Sequence, residues 1–83
     1  DEGDAQAEGE KSLRQALALA REQEALGWEL RCSLSLARTL RARGRDAEAR
    51  ELVHAVVAKF PPDENAFEVA RAKDFLSSAA SGA

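Results

Sequence analysis

Apolar residues recur three or four positions apart along almost the whole of this 83-residue chain, and no stretch of useful length alternates apolar with polar. That spacing gathers apolar side chains on one face of a helix and leaves nothing to build a sheet, so the fold class is all-α with about four helices. The first helix is expected from about Ala5 to Glu24, with Leu13, Ala16, Leu17 and Ala20 on one face. Its acidic opening, Asp1 to Glu10, suits the positive end of the helix dipole. The second is expected to start near Gly27 or Trp28 and to close at Gly44, where a residue without a Cβ can turn left-handed. Asp46 is expected to cap the third, which stops before Pro61-Pro62 because proline cannot continue the hydrogen-bond ladder. Asp63 is expected to cap the fourth, which carries Phe67, Ala70, Phe75 and Leu76 before fading into "SSAASGA". The core predicted from these faces is Leu13, Leu17, Leu30, Leu36, Leu40, Val53, Val56, Phe60, Phe67 and Phe75.

The helices pair into two hairpins, about 5–43 and 46–79, that repeat one another. At an offset of forty, Ala7-Glu8-Gly9 falls on Ala47-Glu48-Ala49, Leu13 on Val53, Ala16-Leu17 on Val56-Val57 and Ala20 on Phe60. At thirty-nine, Trp28-Glu29-Leu30 falls on Phe67-Glu68-Val69 and Leu36 on Phe75. Small residues recur where helices approach closely and bulky ones where space must be filled. A hairpin of this kind cannot bury its apolar side alone and stacks on its neighbours, the logic of a helical solenoid.

From Leu30 to Asp63 the chain resembles a tetratricopeptide repeat. Leu36-Ala37 stands at that family's leucine-glycine pair, Gly44 at the interhelix turn, Ala49 at the small packing position and Pro61 at the terminal proline. Ser33 replaces the usual tryptophan, Leu40 the tyrosine, and Val53 and Val56 an aromatic and an alanine. The longer stretch "ALALAREQEALGWELRCSLSLARTLRARGRDAEARELV" is similar to the C-terminal helical-repeat region of large bacterial regulators that join an ATPase module to an adenylate-cyclase-like, winged-helix or LuxR-type domain. "FEVARAKDFL" resembles the closing helix of that region. The resemblance implies a sensing or docking module of a signalling or transcriptional regulator. None of that family's ATPase or cyclase motifs occurs here, so the resemblance carries over no catalytic residue.

Composition narrows the function classes. The chain has 33% charged and 45% apolar residues, too much of the latter for disorder, and its net charge of −3 repels rather than collects a phosphate backbone. Nucleic acid is therefore not the expected partner, and no apolar run is long enough to span a bilayer. Cys32 is the only cysteine, which rules out an internal disulfide framework and fits a reducing cytoplasm. A sequence without methionine that opens at Asp1 is expected to be a piece of a longer protein. As a two-hairpin piece it is expected to self-associate or to be packed by another chain.

No motif for catalysis emerges. The five glycines are scattered singly, so there is no phosphate-binding loop. His54 lies opposite Leu52, Val53, Val56 and Phe60 and reads as a solvated surface residue. Cys32 has no activating base nearby, Ser33 and Ser35 have no histidine partner, and Trp28 reads as packing. No enzyme activity, cofactor or metal is expected.

The arginines of the second helix invite a different reading. Arg31, Arg38 and Arg45 recur every seven residues with Arg41 between them, bordering the apolar arc of Leu30, Leu36, Ala37 and Leu40. The tetratricopeptide resemblance implies that Arg31, Leu34, Arg38 and Arg41 line a concave groove. Guanidinium forks around one leucine suit an acidic peptide, since the forks hold carboxylates bidentately and the leucine anchors an apolar contact. The expected function is thus protein binding, to an acidic peptide, to other domains of the same chain or to itself. Two other outcomes stay open. The arginines can instead pair with Glu29, Glu48, Glu51 or acids of the first helix, or the segment can be a structural cap or self-association unit of a longer array with no ligand.

Overall fold

The computed structural model describes residues 2–64 and 66–77, and within them the chain forms four helices and no strand. These are α1 (Glu2–Glu22), α2 (Leu26–Ala42), α3 (Asp46–Val57) and α4 (Phe67–Ser77). Residues 78 and 79 of the expected second hairpin, and the rest of the tail, lie outside the described residues. No helix among them is long and apolar enough to cross a membrane.

α2 is the centre of the molecule. It packs on α1, α3 and α4, and α3 also packs on α4, giving a flat body of 43 × 34 × 17 Å. A helix with three neighbours must bury a wide arc, and α2 does so: Leu30, Leu36, Ala37 and Leu40 are wholly buried, with Cys32 and Leu34 nearly so. Val53 and Val56 meet them from α3, Leu17 from α1, and Val69 and Phe75 from α4. Each helix also contributes one alanine with no exposed surface, Ala20, Ala37, Ala49 and Ala72, where a larger side chain would hold the backbones apart. Most of the predicted core is therefore buried, with Leu13 and Phe60 partly buried against it. Phe67 is the exception, 69% exposed at the first residue of α4. Trp28, read as packing from its match to Phe67, is also half exposed at 52%.

The two elbows share one geometry. After α1 the amide of Ala25 donates to the carbonyl of Ala20 and that of Glu24 to Arg21, and after α2 the amide of Arg45 donates to Leu40 and that of Gly44 to Arg41. This crossed pair of bonds closes a helix around one left-handed residue, here Glu24 at φ 54° and Gly44 at φ 80°. Gly44 was legible as that residue. Gly27 is not: it lies inside the first turn of α2, and the first elbow turns on Glu24 instead, so α1 ends at Glu22.

The expected caps are corrected in the same way. Each elbow's last residue, Ala25 or Arg45, serves as the N-cap of the next helix without a side-chain cap bond. Asp46 is thereby moved into the first turn of α3, where its carboxylate receives Arg41 Nε instead. Asp63 sits in the turn after Pro61-Pro62, too far ahead of Phe67 to cap α4. Ser33, at the place where tetratricopeptide repeats carry a tryptophan, is wholly buried, and its Oγ has no hydrogen-bond partner among the described residues.

Candidate functional site

The arginines of α2 and of the α2–α3 elbow divide into two groups according to where acids lie. Arg45 donates to Glu48 Oε1 and to Glu10 Oε1 of α1, and Arg43 also reaches Glu10 at 2.6 Å. Arg14 closes this network by bonding both Glu10 and Glu48. Hydrogen bonds from Arg14 hold the Glu10 carboxyl below its usual range, and Arg45 and Arg14 do the same for Glu48. The network ties the middle of α1 to the α2–α3 elbow and the first turn of α3.

A second tie closes the opposite end. Glu29, only 3% exposed, receives Lys59 Nζ at 2.6 Å and Arg21 Nε at 3.1 Å. Burial pushes this carboxyl up, but the hydrogen bonds and charges of Lys59 and Arg21 outweigh burial and bring it below the usual range. The expectation that arginines pair with acids of the same chain thus holds for this group.

Arg41 belongs with the ties. Its Nε bonds Asp46, its Nη2 donates to the carbonyl of Phe75 at 3.2 Å, and its guanidinium lies 3.7 Å from the centroid of the Phe75 ring. It fastens α2 to the start of α3 and to α4, with its Nε and Nη2 engaged within the chain.

Arg31 and Arg38 make no ion pair among the described residues and stand exposed on α2. With Arg71 of α4 they surround a groove of about 260 Å³ between α2 and α4, and the nearly buried Leu34 forms its floor. Phe67 and Glu68 complete the α4 wall, with the Arg71 guanidinium 5.5 Å from the centroid of the Phe67 ring. The groove therefore brings three guanidinium groups and one carboxylate around an apolar floor. Of the four residues singled out on the sequence, Arg31, Leu34 and Arg38 meet there, while Arg41 lines the adjoining depression beside Asp74 and Phe75.

Phe67 and Arg71 were missed because they lie on another helix from the arginine strip. The repeat did carry a signal: Phe67 is the counterpart of Trp28, and each has an arginine on its ring, Arg31 at 5.4 Å in the case of Trp28. Elsewhere the chemistry is bland. His54 is exposed, burial raises the Cys32 thiol despite the nearby Arg31 charge, and no group of His, Cys, Asp and Glu among the described residues is arranged to hold a metal. Comparison with protein-family models, with curated proteins and with solved structures gives no match.

Proposed function

We propose that the chain is a tetratricopeptide-like docking module of a larger bacterial regulator, working in the cytoplasm. Its α2–α4 groove binds an acidic segment of a partner protein, and it performs no chemistry of its own. One observation carries the reading. Arg31, Arg38 and Arg71 converge on one groove with no ion pair among the described residues, while Arg14, Arg21, Arg41, Arg43, Arg45 and Lys59 are engaged by acids of the chain itself. Three guanidinium groups that make no ion pair among the described residues, with the single carboxylate of Glu68 beside them over an apolar floor, suit carboxylates from outside. The stacking of α4 on both α2 and α3 is the neighbour contact a helical array requires.

A fluorescently labelled oligoglutamate tests the reading by anisotropy over a salt series. Binding is expected to weaken as salt rises, since exposed charges are screened within about 10 Å at 0.1 M ionic strength. The variant with Arg31, Arg38 and Arg71 all replaced by alanine is expected to lose at least about tenfold in affinity with its melting temperature unchanged, because exposed arginines contribute little to folding. A variant that loses stability while keeping its affinity would return the three arginines to a structural role.

A further inference from the structure

The α2–α4 groove does not end at Arg31. Arg31 and Ser35 also form the rim of a second depression of about 280 Å³, whose walls are Leu13 and Ala16 of α1 and Trp28 and Cys32 of α2. Its volume falls just below the roughly 300–1,000 Å³ typical of small-molecule and cofactor sites, and suits a single side chain better. Trp28 stands 52% exposed beside it, although burying an aromatic ring is among the largest stabilisations a small fold can obtain. The fold leaves Leu13 and Ala16 only partly covered on the same side. An apolar recess with one cationic rim thus adjoins a groove with three unpaired guanidinium groups.

We infer that the partner is an acidic peptide segment carrying an apolar side chain beside its acids, which seats against Trp28, Leu13 and Ala16 while the acids lie along Arg31, Arg38 and Arg71. The inference rests on the reading of the groove as a site for acidic segments, and adds the anchor that such a segment must carry. Charge complementarity selects this occupant. Glu68 and Asp74 also lie along the strip, and a peptide can place uncharged residues opposite them. A polynucleotide has a phosphate at every step, and the chain's net charge of −3 opposes it further. An aromatic anchor seated in an apolar recess is also how binding energy concentrates at protein interfaces.

Trp28 is the only tryptophan of the chain, so its emission reports the recess directly. The probes are two labelled peptides without tryptophan or tyrosine: one of aspartate, glutamate and serine, and the same peptide with one central phenylalanine. An oligothymidylate and sedimentation of the protein alone complete the set. The phenylalanine peptide is expected to bind about tenfold tighter or more and to shift Trp28 emission, while the acid-only peptide leaves emission unmoved. Trp28→Ala is expected to bring the two peptides to equal affinity. Equal affinities for the unaltered protein, with Trp28 emission unmoved, would overturn the inference and leave the groove reading standing. Failure of both peptides to bind would overturn the groove reading as well. Tighter binding of the oligothymidylate, or self-association abolished by Trp28→Ala, would assign the recess to nucleic acid or to a second copy, and either result overturns the inference.

Discussion

Replacing Arg21 and Lys59 together with alanine is expected to unfold the domain, whereas replacing their common partner Glu29 with methionine is expected to leave it folded. The asymmetry comes from exposure: the Glu29 side chain is 4% exposed, and those of Arg21 and Lys59 are 48% and 47% exposed. Without Glu29 the two cations return to water at small cost, and a methionine of similar length fills the space, so the expected change is within about 1 kcal/mol. Without one cation the carboxylate loses one charged hydrogen bond, worth about 1.5–3 kcal/mol. Without both, it is buried and uncompensated, at about 3–5 kcal/mol, which matches the whole stability a core of this size supplies.

The pH dependence follows with a definite sign. The folded pKa of Glu29 lies below the ordinary carboxylate value, so its contribution is complete above the unfolded pKa of about 4.3 and is lost as pH falls through the folded value. Glu10 and Glu48 are depressed as well and act in the same direction. The Glu29 share is therefore the difference between the unaltered protein and the methionine variant. Urea unfolding followed by circular dichroism from neutral pH into the acid range measures it. Parallel stability curves for those two proteins, or a methionine variant as unstable as the double alanine one, would refute the reasoning.

Leu36→Ala removes a wholly buried side chain at the centre of the core and is expected to cost about 2–5 kcal/mol by denaturant titration, enough to unfold much of the population. Ser33→Ala removes a buried hydroxyl without a partner and is expected to raise stability by about 1 kcal/mol, or about 4–8 °C in melting temperature. The two elbows are expected to respond in opposite senses, Glu24→Gly gaining and Gly44→Ala losing up to about 1 kcal/mol in thermal melts. Both sites are left-handed, and a Cβ at Gly44 meets nothing within 4 Å, so backbone strain alone sets the cost there.

Helix number and most of the core were legible because the apolar spacing of α2 and α3 is the packing itself: Leu30, Leu36, Leu40, Val53 and Val56 recur at helical intervals and are all wholly buried. Helix ends were legible only where a residue type declares the backbone it takes. Gly44 does so and Glu24 does not, since its left-handed conformation is imposed by the bonds to Ala20 and Arg21. Once the elbow ends on Arg45, Asp46 has no place at the cap, whatever its preference. Hydrophobicity misplaced Trp28 and Phe67 for a related reason. It states that a ring gains by burial, but in the first turn of α2 and of α4 the ring lines a surface depression and stays 52% and 69% exposed.

The candidate site was half legible, and the missing half follows from how grooves are made. Spacing along α2 and its elbow places Arg31, Arg38, Arg41 and Arg45 near one another, but which of them stay available depends on acids far along the chain and on the next helix. Glu10 takes Arg45 across thirty-five residues, and Phe75 takes Arg41 across thirty-four. The groove then gains Arg71 and Phe67 from α4, because two helices packed side by side form one trough between them. Trp28 and Phe67 are the bridge between the two levels. Their match across the repeat already marked equivalent positions on α2 and α4, and in the fold each is an exposed ring with an arginine beside it rather than a part of the core.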